Sequence, residues 1–553
     1  MSAAKLDNEI FEAVKEISPS SAYLTGFNEY AGKLFIASEA NTKAALKRIR
    51  SLRAKAKTDL QKKVLDSIEA GLMYDEPQPV LDDIVGTIFV HLVKEGVHDK
   101  HMLSLLNASA DAIDASRKRF AGRKVPTGVK ALTLYRLGGV IEILETVKSQ
   151  SKNAEVRNAA DRVKKMAGEY VKLFELKGFG KGEFPNVEKV FKEQGFALGR
   201  EKFYEVALKK GFDYHETPDE LERDAISWLD EELPAFRKVT VKLAKVLKCK
   251  PVPEEVEKAI NGRHKLDPKK LVATTQALRK VVQAYVHENV HGINPKYNTK
   301  VIETPEYLTG TIPTGAAQFF DTFTKKPFQV FFQTTDPKRD PDKSVPALLN
   351  LLIHEEYGHC VHHSNSVVGY VGKQPLLALL PGIPAGGPIT EGISFNREIE
   401  VFEASIKLVG KKNLTKAQKD YVRLMDKYGG FKQVMLELEF MTRRWRIVRF
   451  LRVVGDVRVN TGRQGLIEFV DWAHKYTGVP RSSVYFQLFP AHEGIFPGYA
   501  TNYAVMGQEI RKMERKIKDD AKRKKFSTYL TSVGFPPRSI YRKMLVDYAK
   551  SLK

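Results

Sequence analysis

The spacing of apolar residues predicts a protein built mainly from α-helices. In stretches such as Ala44 to Ile68, Val80 to Leu106 and Gly128 to Val147, apolar side chains recur at intervals of three and four residues. The same pattern runs from Ala3 to about Phe184 and returns further along the chain. A chain of 553 residues exceeds the size that one core serves. We therefore expect a mainly α fold with an N-terminal helical region over residues 1–185 and a second helical region over residues 186–553.

The pattern changes between residues 294 and 340, which are rich in Pro, Gly, Thr and aromatic residues. Short alternating or β-branched runs occur at Lys300–Glu303, Glu306–Thr311 and Phe328–Thr334. This region predicts a small sheet or a pair of hairpins directly before the next helix. The run Phe328–Thr334 has two interpretations: an edge strand open to an extended ligand, or a core strand of the sheet.

The stretch from Pro346 to Ser366 carries the most informative chemistry. Pro346 suits a first helical turn, and a dense apolar run follows it. The run then meets two glutamates and four histidines, among them His354, Glu355 and His359. Burying such groups is costly unless they are paired or bind a metal. Solvated histidines at a helix end are the alternative, but a cluster with Glu directly after the first His favours a metal site.

A rival metal sequence lies at His287–His291, HENVH, which matches the HExxH pattern. Two histidines four apart stand about 40° from each other around a helix, so they can share a zinc ion. His354 and His359 are five apart, which on a regular α-helix separates them by about 140°. Spacing alone favours the rival.

Context favours the central stretch. Gly292 and Pro295 end the helix at the rival's second histidine, whereas the central helix continues and can absorb one inserted residue as a π-bulge near Gly358. The next predicted helix then supplies Glu391 as a third ligand and Glu398 to hold a ligand imidazole from outside. We predict one Zn²⁺ ion held by His354, His359 and Glu391.

These motifs resemble a known family. The run from His354 to His362 looks like the HExGHxxH signature of thimet oligopeptidase and neurolysin with one residue inserted, and the insertion resembles the HExxGH motif of dipeptidyl peptidase III. The run Glu391 to Glu398 is similar to the ExxSxxxE helix of the oligopeptidases. The segment from His492 to Tyr503 resembles their H…GYxxxY segment, and its PGYA start fits a related uncharacterised bacterial and archaeal family with an HExxPGH motif. No proline precedes Gly358 here.

The resemblance implies a two-lobed, mostly helical gluzincin metallopeptidase with a deep substrate channel, which hydrolyses short peptides as an oligopeptidase or carboxypeptidase. In that family's mechanism, Glu355 takes a proton from the metal-activated water, with Glu356 as the weaker candidate. Oxyanion donors carried over from the matched segment are Tyr499, Tyr503 and His492. The histidines that follow are assigned lesser roles: His362 near the ligands and His363 facing solvent.

One helix carries many arginines between Thr442 and Arg458, where Arg452 and Asp456 stand four apart and can pair. One of these arginines could bind a substrate carboxylate by a bidentate fork. The full set is Arg443, Arg444, Arg446, Arg449, Arg452 and Arg458.

Charge and composition add a second function class. The formal charge is +23, but basic residues are spread among 67 acidic ones without interleaved aromatics, so nucleic acid is not an expected partner. Only two cysteines, no signal-like start and no apolar run of membrane length predict a cytoplasmic protein without membrane contact. The alternative function is a non-catalytic helical protein that binds RNA or anionic partners, with a structural or vestigial metal site. Glu355 separates the two, because a structural site needs no carboxylate beside its first ligand.

Overall fold

The computed structural model describes residues 3–179, 199–264, 266–309, 312, 314–336, 343–380, 382–489 and 496–552. Helices dominate these residues and a single small sheet interrupts them, so the predicted mainly α class is confirmed. The two lobes and the deep channel implied by the resemblance stay predictions. The helices of the N-terminal region are Ala3–Ile17, Pro19–Leu24, Glu39–Lys55, Asp59–Met73, Pro79–Lys94, Asp99–Phe120, Thr127–Gln150 and Ala154–Val171.

The rest of the chain adds a second set of helices, some of which precede the strands of the sheet in the sequence and some of which follow them. Before the sheet come Arg200–Lys202, which continues as a π-helix over Phe203–Gly211, then Pro218–Leu247, Pro253–His264 and Leu271–Asn289. After the sheet come Val345–Leu352, the π-helix Ile353–Cys360, Val361–Val368, Gly387–Ile406, Lys416–Asp426, Phe431–Asn460, Leu466–Thr477, Arg481–Leu488, Asn502–Glu514, Asp520–Leu530 and Arg538–Ser551.

The sheet has three strands: β1 (Thr299–Glu303), β2 (Gly315–Phe320) and β3 (Phe328–Gln333). Their order is β1-β3-β2, with β1 parallel and β2 antiparallel to β3. β3 is therefore the central strand, which settles the interpretation of Phe328–Thr334 as core rather than edge. The strand expected at Glu306–Thr311 is wrong, because Glu306–Leu308 forms a 3₁₀ turn instead.

Alternation along β3 ties the sheet to two different layers of helices. Val330 and Phe332 pack into the core of the N-terminal helices, where Phe89 stands 5.3 Å from Phe332 between ring centroids. Phe331, pointing to the opposite face, packs with Leu349 and other apolar residues of the helix before the π segment. The sheet thus lies between the N-terminal helices and the histidine-bearing helix.

Candidate metal centre

Residues 345–368 form one continuous buried helical run, which we call the histidine helix. The side chain of Ser344 accepts a hydrogen bond from the Ala347 amide and caps its start, and Pro346 occupies the first turn. The middle of the run, Ile353–Cys360, is π-helical. In a π-helix the backbone bonds reach five residues instead of four, so residues 354 and 359 stand one above the other on a single face. The inserted residue is absorbed in this way.

Three side chains converge at this face. The Nε2 atoms of His354 and His359 are 3.2 Å apart, and each lies 3.6 Å from Oε2 of Glu391. Ligand atoms that lie about 2.0–2.2 Å from a tetrahedral ion are about 3.3–3.6 Å from one another. The triangle therefore has the size of one face of a zinc coordination tetrahedron, with the fourth corner left for another ligand.

The Glu391 carboxylate is prepared for a cation. Its Oε2 atom is buried without a hydrogen-bond donor in the described residues, while Oε1 accepts a 2.6 Å hydrogen bond from the Tyr499 hydroxyl. Burial by itself would raise the pKa of Glu391, but His359, His354 and the Tyr499 hydroxyl lower it to about 2. A buried, ionised carboxylate oxygen that faces two imidazole nitrogens fits a divalent ion.

Gly358 allows the two ligand-bearing helices to approach. The second helix is Gly387–Ile406, which we call the glutamate helix. A Cβ atom at position 358 would lie 2.7 Å from the Cα atom and closer still to the hydroxyl of Ser394. Real Cβ atoms essentially never come that near. The missing side chain at Gly358 therefore brings Glu391, one turn before Ser394, to the histidines.

A second layer of contacts orients His354. Its Nδ1 atom lies 2.6 Å from Oε1 of Glu398, and the guanidinium of Arg449 donates a 2.7 Å hydrogen bond to the other oxygen of that carboxylate. Burial alone would lower the pKa of His354, but the carboxylates of Glu391 and Glu398 raise it to about 9. A carboxylate behind a ligand histidine is the usual arrangement in metal sites, because it fixes the tautomer and strengthens the ligand.

Glu355 lies beside this triangle and is buried. Burial raises the pKa of its carboxyl to about 7. The charges of His354 and Arg449 and a hydrogen bond from the Ala317 amide lower this pKa, whereas the charge of Glu391 raises it. Ala317 belongs to β2, an edge strand, so the sheet positions this carboxylate. A carboxyl with a pKa near neutrality can both accept and return a proton.

The neighbouring Glu356 has a structural role. It is fully buried, and it accepts hydrogen bonds from the Arg279 guanidinium, at 2.5 Å, and from the Tyr297 hydroxyl, at 3.0 Å. These contacts hold the histidine helix against the helix Leu271–Asn289. Glu356 therefore faces away from the ligand triangle, and the weaker candidate for a proton acceptor has no part in it.

The three predicted oxyanion donors have different outcomes. Tyr499 contacts Glu391 directly, and the ring of Tyr503 stacks on His354 with centroids 6.2 Å apart. His492 lies outside the described residues. The structure thus brings both tyrosines to the candidate centre.

The turn that carries Tyr499 is held by Asp456. The Asp456 carboxylate accepts hydrogen bonds from the amides of Gly498 and Thr501 and from the Thr501 hydroxyl, at 2.9–3.1 Å. The predicted ion pair between Asp456 and Arg452 is therefore wrong. The donors of the 498–501 turn occupy the oxygens of this carboxylate in place of the guanidinium on the same helix.

Two further predictions about histidines are wrong. His363 is fully buried rather than solvent-facing, and it bonds to Thr322 and Gln329 on the sheet side. His362 points to the carbonyl of Gly534, 2.7 Å away, and not to the ligand triangle. On a helix packed on all sides, each polar side chain finds its partner in a different neighbour.

The HENVH rival forms no cluster in the described residues. Its helix ends at Asn289, so His291 falls beyond the last turn. His287 accepts a hydrogen bond from the Ile293 amide, and His291 bonds to the carbonyl of Gly292. The two histidines are used to close the end of the helix. Among the described residues, His354, His359 and Glu391 form the buried group able to hold a metal ion.

Sequence reasoning missed two contributions: the pairing of Arg449 with Glu398, and the Ala317 amide. Arg449 stands between the apolar residues Val448 and Phe450, and a charge flanked by apolar residues was the available signal that it is buried and paired. The Ala317 amide left no signal, because any residue except proline supplies a backbone N–H.

Comparisons with known proteins identify the fold alone. No family model matches the chain, and no curated protein matches it. The structure is similar to that of the putative lipoprotein from Colwellia psychrerythraea, with a TM-score of 0.68 and 12% identity over 99% of both chains. It is also similar to a putative lipoprotein of unknown function from Shewanella oneidensis, with a TM-score of 0.65 and 17% identity over 99% of this chain and 100% of the other.

These findings correct the functional prediction. The assignment to the thimet oligopeptidase and neurolysin type of gluzincin is wrong, and so is the function as a peptidase on short peptides, because the similar full-length structures are putative lipoproteins and the second is described as of unknown function. No match supports the alternative of an RNA-binding protein either. The cytoplasmic location stays a prediction. The described part of the chain contains no helix with the length and apolar character to cross a membrane.

Proposed function

We propose that this protein is a metal-dependent hydrolase whose single divalent ion is held by His354, His359 and Glu391. The observation that carries the proposal is the triangle of ligand atoms, with edges of 3.2, 3.6 and 3.6 Å, buried between two helices. Two imidazoles and one carboxylate, with a fourth position open, are the ligand set of catalytic zinc sites, so Zn²⁺ is the ion we propose.

A divalent ion at this position would acidify a bound water molecule and polarise an oxygen of the substrate. The protein's own part in the reaction is proton transfer and orientation. Glu355, with its pKa raised to about 7 by burial, accepts the proton of the attacking water and returns it to the leaving group. Glu398 and Arg449 keep His354 in the tautomer that presents Nε2 to the ion.

Glu355 is the feature that distinguishes a catalytic from a structural site. A structural zinc site is closed by four protein ligands, whereas three protein ligands converge among the described residues here. A buried carboxyl beside the ligands, which accepts a hydrogen bond from a backbone amide of the sheet, carries a desolvation cost that a purely structural site has no reason to bear.

Metal analysis tests the site. We expect the purified protein to bind one equivalent of zinc, and His354→Ala to lose it. The matched control is His287→Ala in the rival HENVH sequence, which keeps its zinc because His287 closes a helix end elsewhere. Equal zinc content in the two variants would overturn the assignment of the ligands.

Hydrolysis tests the function. Zinc-loaded wild type and Glu355→Gln are compared on chromogenic acyl and phosphoryl esters, namely p-nitrophenyl acetate, p-nitrophenyl butyrate and bis-p-nitrophenyl phosphate. We expect hydrolysis by the wild type and a loss of about 100-fold or more in Glu355→Gln with zinc retained, the usual effect of a general base. Zinc-loaded wild type without hydrolysis beyond that of His354→Ala would overturn the proposal.

A further inference from the structure

The helix Phe431–Asn460 carries the arginines singled out by sequence, and one of them differs from the rest. Five of the six form ion pairs with carboxylates at distances of 2.5–3.1 Å: Arg443 and Arg446 with Glu232, Arg444 with Glu257, Arg449 with Glu398, and Arg458 with Glu222. Arg452 has no carboxylate partner among the described residues. This exception needs a physical explanation, because an unpaired buried cation is costly.

Arg452 is buried, with 6% of its surface exposed. Its Nε and Nη2 atoms donate hydrogen bonds to the carbonyl and the side-chain oxygen of Gln487, both of which are neutral. Its Nη1 atom has no acceptor among the described residues, and this atom is not fully buried. The carboxylate of Asp456, one helical turn further, accepts hydrogen bonds from Gly498, Thr501 and Asn460.

The guanidinium of Arg452 lies at the edge of the candidate metal centre. It stands 4.5 Å from the centroid of the Tyr503 ring, and the same ring stacks on the ligand His354. Burial lowers the pKa of the Arg452 guanidinium to about 10, while the charge of Glu391 raises it, so the group stays positive at neutral pH. A positive charge with no carboxylate partner in the described ranges therefore lies close to the ligands.

We propose that Arg452 binds a carboxylate group of the substrate and so makes carboxylic acids the preferred substrates of this centre over neutral ones. The inference rests on the proposed function, since it names the substrate class of that site. A single guanidinium without a carboxylate partner in the described part of the chain matches a singly charged oxyanion. Tyr503 supports the pairing, because its ring covers one face of the guanidinium. Gln487 uses Nε and Nη2, so Nη1 is the donor left for the ligand.

Zinc-binding probes test this inference without knowledge of the natural substrate. Monohydroxamates of malonic, succinic and glutaric acid share one metal-binding group and differ in the distance to a terminal carboxylate. Each is paired with its neutral primary amide, and binding to the zinc-loaded protein is measured by calorimetry. At one chain length, we expect the acid to bind about 10- to 100-fold more tightly than its amide, as a charge-assisted hydrogen bond would produce.

Variants assign the preference to the residue. In Arg452→Gln, the acid and the amide are expected to bind equally, with the affinity of the amide unchanged. Arg452→Lys keeps the charge and is expected to retain part of the preference. Arg443→Gln is the control on the same helix, because Arg443 is paired with Glu232 and Glu439, and it is expected to keep the full preference.

The outcomes separate this inference from the proposed function. If zinc and the neutral amides bind, and the acids bind no more tightly at any chain length, the role of Arg452 is overturned and the metal centre stands. If the hydroxamates do not bind the zinc-loaded protein at all, the proposed function itself fails. A phosphonoacetohydroxamate that binds more tightly than every carboxylate probe would overturn the assignment to carboxylates.

Discussion

Nδ1 of His354 and Oε1 of Glu398 lie 2.6 Å apart, although 44 positions separate the two residues in the chain. Arg449, from a third helix, holds the other oxygen of the same carboxylate. The candidate centre is thus built from two ligand-bearing helices, the histidine helix and the glutamate helix, and from the helix Phe431–Asn460, which supplies Arg449 and which we call the arginine helix. The contribution of these helices can be measured.

Replacing Glu398 tests the support of His354. In Glu398→Gln, we expect zinc affinity to fall about 10- to 100-fold, the usual effect of changing a partner behind a ligand histidine. The measurement is competition with a fluorescent zinc chelator. Glu439→Gln is the matched control, because Glu439 pairs with Arg443 on the same arginine helix but away from the ligands. Unchanged affinity in Glu398→Gln would show that the contact does not tune the site.

Replacing Gly358 tests the close approach of the two ligand helices. In Gly358→Ala, the new Cβ atom would clash with the backbone and hydroxyl of Ser394, so we expect a loss of about 1–3 kcal/mol in the free energy of unfolding and weaker zinc binding. Urea denaturation measures the first quantity.

Gly168→Ala is the control for the glycine replacement. It lies in the helix Ala154–Val171, and nothing stands within 4 Å of its built Cβ atom. We expect it to stabilise the protein by up to about 1 kcal/mol, since alanine favours a helix over glycine. Equal effects at the two positions would contradict the packing argument.

The coupling between metal and protons gives a pH dependence. Burial would lower the pKa of His354, but Glu391 and Glu398 raise it to about 9. This side chain is therefore a positively charged imidazolium at pH 8 before an ion binds. Burial lowers the pKa of His359 to about 3, and Glu391 has a pKa of about 2, so at pH 8 His359 is neutral and Glu391 is ionised. Zinc binding at pH 8 must therefore displace about one proton from His354, and affinity rises as pH increases toward 9. Calorimetry in buffers of different ionisation enthalpy counts the proton, and an affinity that falls with rising pH would contradict the assignment.

Replacing Asp456 tests the turn that positions Tyr499. In Asp456→Asn, an amide group would face N–H donors of the 498–501 turn, so we expect the free energy of unfolding to fall by about 2–4 kcal/mol. Zinc affinity should fall as well, because Tyr499 donates to Glu391. The control is Asp471→Asn, whose ion pair with Arg481 is exposed and contributes about 1 kcal/mol or less. A loss in Asp456→Asn no larger than in the control would refute the role of the turn.

Local patterns in the chain were sufficient for much of the fold. Intervals of three and four between apolar residues predicted the helices, and the β-branched and aromatic composition of residues 294–340 predicted the small sheet. The run Glu306–Thr311 was misassigned because short apolar runs are ambiguous between a strand and a turn. In the metal centre, the five-residue spacing of His354 and His359 pointed to a π-helix, and the structure has one.

The failures share one physical cause. The partner of a buried polar side chain is decided by whichever element packs against it, and that element can be far away in the chain, as Gly534 is from His362, 172 positions before it. His363 turned to the sheet, Asp456 to the 498–501 turn, and His362 to the carbonyl of Gly534. The resemblance to peptidases likewise rested on short motifs, which specify a ligand set but not the fold around it or the substrate.

The amino-acid sequence by itself determined the helices, the residue types able to bind a metal and the helical face that presents two of them, because these depend on neighbours within one or two turns. The sequence also predicted Glu391 as the third ligand, but only the tertiary structure decided that it meets those histidines and that Arg449 stands behind Glu398. It also decided that Arg452 has no carboxylate partner among the residues the structure describes. Those relationships depend on how closely whole helices pack, and a single missing Cβ atom at Gly358 sets that distance.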